Sequence, residues 1–165
     1  MRAIRFDRNN LDKANSPYLL QHAQNPVWWQ EWSREVLDEA RRRDVPIFVS
    51  SGYATCHWCH VMASEAFSDP STADLLNRDF ICVKVDREER PDIDHYLMEF
   101  IQSRSGRGGW PLNAFLTPRM EPILAFTYLP VESSHGMPGL KHVASPVREH
   151  YRERGFPFEP FQPPR

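Results

Sequence analysis

VPIFVSSGYATCHWCHVM, residues 45–62, reads as a strand, a turn and the start of a helix. Residues 45–50 are a short β-branched and aromatic run, bounded by Asp44-Val45-Pro46 and Gly52, the pattern of a buried strand. Thr55 is placed to cap a helix that starts at the cysteines, with Met62, Ala66 and Phe67 on one face until Asp69-Pro70 breaks it. Cys56 and Cys59 therefore form a Cys-x-x-Cys pair directly after a strand and at a helix start. That arrangement suits dithiol redox chemistry for two reasons. The spacing lets the sulfurs meet, and the first sits where unpaired N–H groups and the helix dipole favour its thiolate, while the second, one turn in, resolves mixed disulfides. A free thiol with a pKa near ~8.5 is under about 10% ionised at neutral pH, and lowering it to about 6.5 makes it mostly thiolate. His57 adds to this when protonated, and Trp58 gives the rim an apolar contact for a substrate backbone.

Working outward, Asn25-Pro26 predicts an N-cap and first helical residue, with Trp29, Trp32, Val36 and Ala40 at helical spacing until about Arg43. A short helical stretch follows at residues 71–77, and residues 80–85 form a second buried strand, with Cys82 as a core residue. Pro91 opens a helix whose Ile93, Leu97, Phe100 and Ile101 share a face, ended by residues 103–109. Residues 112–116 and 123–128 read as strands joined in a hairpin through residues 117–120, before a last helix over 140–152. This order implies an α/β fold, a central mixed sheet flanked by helices on both faces.

At 165 residues the chain suits one domain, expected over residues 1–154, and residues 155–165 form a Phe/Pro-rich tail expected to lie extended or disordered. A net charge of −2 gives no electrostatic footprint for nucleic acid or anionic lipid. The opening residues carry no apolar leader and no run approaches a membrane span, so the expectation is a soluble, cytoplasmic chain. Three cysteines, two of them three positions apart, point to redox or metal chemistry rather than a secreted disulfide framework.

Two other chemistries share the motif. Cys56-His57-Trp58-Cys59-His60 also satisfies Cys-x-x-Cys-His for haem, with His60 as axial ligand opposite Met62 or Met98, but covalent haem attachment normally occurs outside the cytosol. Zinc would use Cys56, Cys59 and His57 or His60, yet a structural site needs four ligands and no second paired motif exists. No cofactor and no metal are expected. DREERPDID, residues 86–94, reads as a solvated loop and helix start; the sharper reading gives Asp86 or Glu88 a role in moving protons or binding a polar ligand. His22 reads as a satisfied, semi-buried histidine.

With those residues in view, the chain resembles the thioredoxin-like N-terminal domain of the spermatogenesis-associated protein 20 family. The resemblance rests on SPYLLQHAQNPV (16–27), GYATCHWCHVM (52–62), VKVDREERPDID (83–94), GGWPLNAFLTP (108–118) and TYLP (127–130). It implies a thioredoxin-like fold with an extra N-terminal segment, Cys56 as exposed nucleophile and Cys59 as resolving thiol. It also implies a cis peptide between Trp110 and Pro111, facing the dithiol, where an extended substrate segment pairs as an added strand. Two departures stand out. Ordinary thioredoxins carry a buried acid on the strand before the motif, and the corresponding position here is Ser50. Full-length relatives continue into a helical barrel, so this chain is expected to supply at most the redox module. The expected function is a thiol-disulfide oxidoreductase or redox sensor acting on a protein or small thiol/disulfide substrate, with a non-catalytic binding module as the alternative and the tail as a site for a protein partner. Neither the direction of exchange nor the oligomeric state is legible.

Overall fold

The computed structural model describes residues 4–154, the side chain of Arg154 apart; the expectation for the tail lies outside the described residues. Five strands form one sheet: β1 (Trp29–Gln30), β2 (Ile47–Gly52), β3 (Ile81–Asp86), β4 (Leu112–Leu116) and β5 (Pro122–Phe126), in the order β1-β3-β2-β4-β5. β1, β3 and β2 run parallel, whereas β4 is antiparallel to β2 and pairs with β5 as a hairpin. Among the described residues, six α-helices complete the fold: α1 (Pro17–Leu20), α2 (Arg34–Arg43), α3 (His57–Ser64), α4 (Pro70–Asp79), α5 (Pro91–Ser105) and α6 (Leu140–Arg154). This is the mixed α/β sheet, covered on both faces, that the order of elements implied.

Every residue of β2, β3 and β4 is buried, because each face of the sheet carries its own apolar layer. Ile47, Val49, Val83 and Ala114 face Val36 and Ala40 of α2 and Leu97 and Ile101 of α5. Phe48, Cys82 and Phe115 face the other way, toward Met62 of α3, Leu76 of α4 and Ala144 of α6. The N-terminal segment joins this second layer through Leu11, Tyr18 and Leu19.

Residues 26–33 depart from the predicted helix. Trp29 pairs in parallel with Cys82, and the helix begins only at Arg34, capped by Ser33, whose hydroxyl accepts from Val36 N–H at 3.2 Å. Trp29 is wholly buried, with its ring 5.0 Å from Phe67 and 5.9 Å from Phe48. Core packing of that indole outweighs the helical spacing of the tryptophans. Asn25 is likewise no cap: its side chain accepts from Trp29 Nε1–H at 3.2 Å and donates to the Ala63 carbonyl at 3.2 Å. Further along, Asp69 caps α4 by accepting from Thr72 N–H at 2.9 Å, so residues that read as a break also start a helix.

Candidate functional site: a disulfide at a helix start

β2 delivers the chain to the motif and ends at Gly52 beside Asp86 of β3. The turn that follows closes when Cys56 N–H donates to the Tyr53 carbonyl at 3.1 Å. Closure there puts Cys56, not Thr55, in the extended capping conformation, which corrects the predicted cap. Cys56 Sγ accepts from Cys59 N–H at 3.3 Å, so the leading sulfur already takes up one of the unpaired amides of the helix start. The Cα atoms of Cys56 and Cys59 are 5.3 Å apart and the two residues are joined as a disulfide.

The leading cysteine is not open to water as expected. Cys56 is 3% exposed and Cys59 wholly buried, because both sulfurs turn inward to bond each other and join the apolar layer on which Tyr53 and Trp110 pack. Exposure belongs instead to Trp58, at 52%, whose ring lies 5.2 Å from Tyr128 and 5.2 Å from His57. His60 Nε2–H donates to the Ala54 carbonyl at 2.7 Å, which pins the turn before the motif. Among the described residues no group of three or more His, Cys, Asp or Glu is placed to hold a metal ion.

The segment before β4 flanks the motif. β4 starts with Leu112 opposite Ser51, so Pro111 adjoins the end of β2, and the Trp110–Pro111 peptide is cis. Trp110 Nε1–H donates to Asp94 Oδ1 at 2.8 Å, and Ser51 Oγ–H donates to the same oxygen at 2.6 Å. One buried carboxylate in the first turn of α5 thus ties the tryptophan to β2. The Arg87 guanidinium stacks 4.0 Å over the Tyr53 ring and 4.4 Å over that of Trp110. Asp86 is buried and occupied: it accepts from Ser16 Oγ–H at 2.6 Å and Glu88 N–H at 2.9 Å, fastening the N-terminal segment to β3.

The apolar layer that holds the disulfide also surrounds a polar group. Lys84 of β3 is 1% exposed, and its Nζ lies 4.6 Å from the Phe67 ring centroid and 4.9 Å from that of Trp29. Its Nζ donates to Ser50 Oγ at 3.0 Å, across the β2–β3 register, so the Ser50 position is paired with a lysine. Burial pushes the ionisation of Lys84 well below the usual lysine range. His22 is also wholly buried, more than expected, and donates from Nδ1 to the Tyr18 carbonyl at 2.9 Å, which leaves Nε2 without a partner. Burial, with a smaller contribution from Lys84, drives its pKa down to about 2. Cys82, on the same face, is buried with its thiol ionisation raised by desolvation.

A sheet of this order with a cysteine pair bridged at the start of the helix after its central strand defines a thioredoxin-like protein. The comparisons carry this further: the chain belongs to the thioredoxin DsbH-like family described as "Protein of unknown function, DUF255", which matches residues 8–159. It is 48% identical over 145 residues to spermatogenesis-associated protein 20 of Homo sapiens, covering 88% of this chain and 18% of that protein. The chain spans about a fifth of the length of the curated relatives it matches. Among solved structures, one titled "DsbH Oxidoreductase" superposes with a TM-score of 0.53 at 16% identity, covering 78% of this chain and 86% of the other. A putative disulphide-isomerase from Bacteroides thetaiotaomicron gives 0.54 at 23%, covering 74% and 94%. At these identities the two structures speak to fold alone.

Proposed function

We propose that Cys56 and Cys59 are a thiol-disulfide exchange centre, in which Cys56 meets the substrate and Cys59 resolves it. The observation that carries this is the bridged pair at the start of α3, with Cys56 Sγ accepting the Cys59 amide. Family membership supports the same reading. In the reducing direction, the Cys56 thiolate attacks a substrate disulfide and expels one substrate thiolate. Cys59 then attacks Cys56, the Cys56–Cys59 bond forms, and the second substrate sulfur leaves as thiolate; the substrate gains two electrons and a thiol donor must restore the pair. Trp58 and the backbone beside Pro111 are the docking edge for an extended protein segment. The setting that fits a reductant is a reducing one such as the cytosol.

The burial of Cys56 favours one other reading, a module that keeps the fold and offers Trp58 to a partner without exchanging thiols. Trapping separates them. Cys59→Ser is expected to accumulate a mixed disulfide through Cys56 with a peptide or glutathione disulfide, and Cys56→Ser to accumulate none; equal, negligible capture by both variants would establish the inert module.

A further inference from the structure

Tyr18 is wholly buried, yet its hydroxyl has no hydrogen-bond partner. A buried hydroxyl without a partner is destabilising, and its persistence points to an acceptor present in another state of the protein. One candidate faces it. A Cβ on Gly52 would lie 2.6 Å from Cys59 Sγ and would collide with the Tyr18 hydroxyl, so both groups approach the same point, over a residue with no side chain to separate them. In the disulfide that sulfur is a weak, uncharged acceptor. Reduction makes it a thiol, and ionisation then makes it an anion able to accept strongly from a phenol.

The phenol is held in place. Ser16 caps its helix and bonds Asp86, the His22 ring lies edge-on at 4.7 Å, and Lys84 Nζ lies 5.6 Å from the Tyr18 ring centroid. We infer that in the reduced protein the Tyr18 hydroxyl donates a hydrogen bond to the Cys59 sulfur and so stabilises the resolving thiolate, a contribution of the N-terminal segment to the exchange reaction proposed above. When Cys59 attacks a mixed disulfide, the Cys56–Cys59 bond forms, the bond to the substrate sulfur breaks, and the substrate leaves as thiolate; the phenol keeps its proton and is left unpartnered again. Burial raises the Tyr18 ionisation above the usual phenol range, consistent with a donor that never loses its proton. The other titratable groups on the elements packed here are His57 and His60 of α3, His22 beside the phenol, and Cys82, Lys84 and Asp86 of β3. All six are retained in the test.

The test is a titration of Cys59 in the full chain carrying Cys56→Ala, followed by the isotope-labelled Cβ resonance of Cys59, with and without Tyr18→Phe. The substitution keeps the ring and removes only the hydroxyl, so the thermal midpoint of the oxidised protein should not fall. The expected result is a Cys59 pKa higher by at least about one pH unit in the Tyr18→Phe variant, since hydrogen bonds to charged groups are among the stronger ones. An unchanged pKa overturns the inference. A second readout needs no substitution at Tyr18: its hydroxyl proton should exchange more slowly in reduced than in oxidised protein, and equal rates also overturn it. Neither readout requires turnover. Failure of the reduced, unmutated protein to exchange with glutathione disulfide would remove the exchange reaction, whereas normal exchange with an unshifted Cys59 removes the Tyr18 contribution alone.

Discussion

Phe48→Ala is expected to lower stability by about 3–5 kcal/mol, the usual range for emptying a large aromatic site in a core. For a domain of this size, that corresponds to a fall in thermal midpoint of roughly 10–15 °C. Phe48 is wholly buried near the start of β2, with ring centroids 5.0 Å from Phe115, 5.9 Å from Trp29, 6.1 Å from Phe67 and 6.4 Å from Phe126. Those four rings come from β4, β1, the 3-10 turn Ala66–Ser68 and β5, so one side chain knits most of the α3-side layer. β2 is paired on both edges and cannot shift inward to fill the space. The high end of the range therefore applies. A midpoint fall of only a few degrees would mean that this layer repacks and that the support beneath the motif is looser than the packing implies.

The second large effect is acid lability through His22. The folded protein holds His22 neutral down to about pH 2, whereas the unfolded chain takes up a proton near the ordinary value of 6.5. Between those values the unfolded state binds the additional proton, so stability falls as pH falls, by about 1.4 kcal/mol per unit. Above 6.5 the term vanishes. Since the unfolded imidazole is already half protonated at 6.5, lowering the pH from 6.5 to 4.5 should remove about 2 kcal/mol through this one group. Denaturant unfolding of the unmutated protein and His22→Gln over that interval reads the difference directly. The variant should show the shallower loss, and parallel pH profiles would show that the imidazole takes up its proton without unfolding.

How much of this could be read from the residues depends on the range over which each feature is determined. β2, β3, α5 and the β4–β5 hairpin announce themselves because their signals are local: β-branched runs between turn residues, a proline at a helix start, a short connection through residues 117–120. The cysteine pair was equally legible, since three positions of sequence fix its geometry. Residues 26–33 misled because proline and spaced tryptophans imitate a helix, and only the core between Phe48 and Phe67 shows where Trp29 belongs. A lysine in a strand ordinarily faces water, and Lys84 does not. The run from Ile81 to Val85 is apolar at both parities apart from that lysine, which signals a strand covered on both sides and leaves no solvent face for residue 84. Tyr18, His22 and Ser16 reach the site from well over thirty positions away, and nothing near them in sequence says so. The burial of Cys56 is a matter of which way a capping sulfur turns, a rotamer choice settled by its partner Cys59 and the layer behind it.

Redox equilibration of the unmutated chain tests the account at its centre. The protein is held in native buffer across a series of reduced-to-oxidised glutathione ratios, free thiols are alkylated, and the mass reports how many were blocked. A single reversible two-electron transition confined to Cys56 and Cys59, with Cys82 unmodified throughout, is the predicted result. A pair that changes state only after the chain is unfolded would contradict it, leaving a structural bridge in place of an exchange centre.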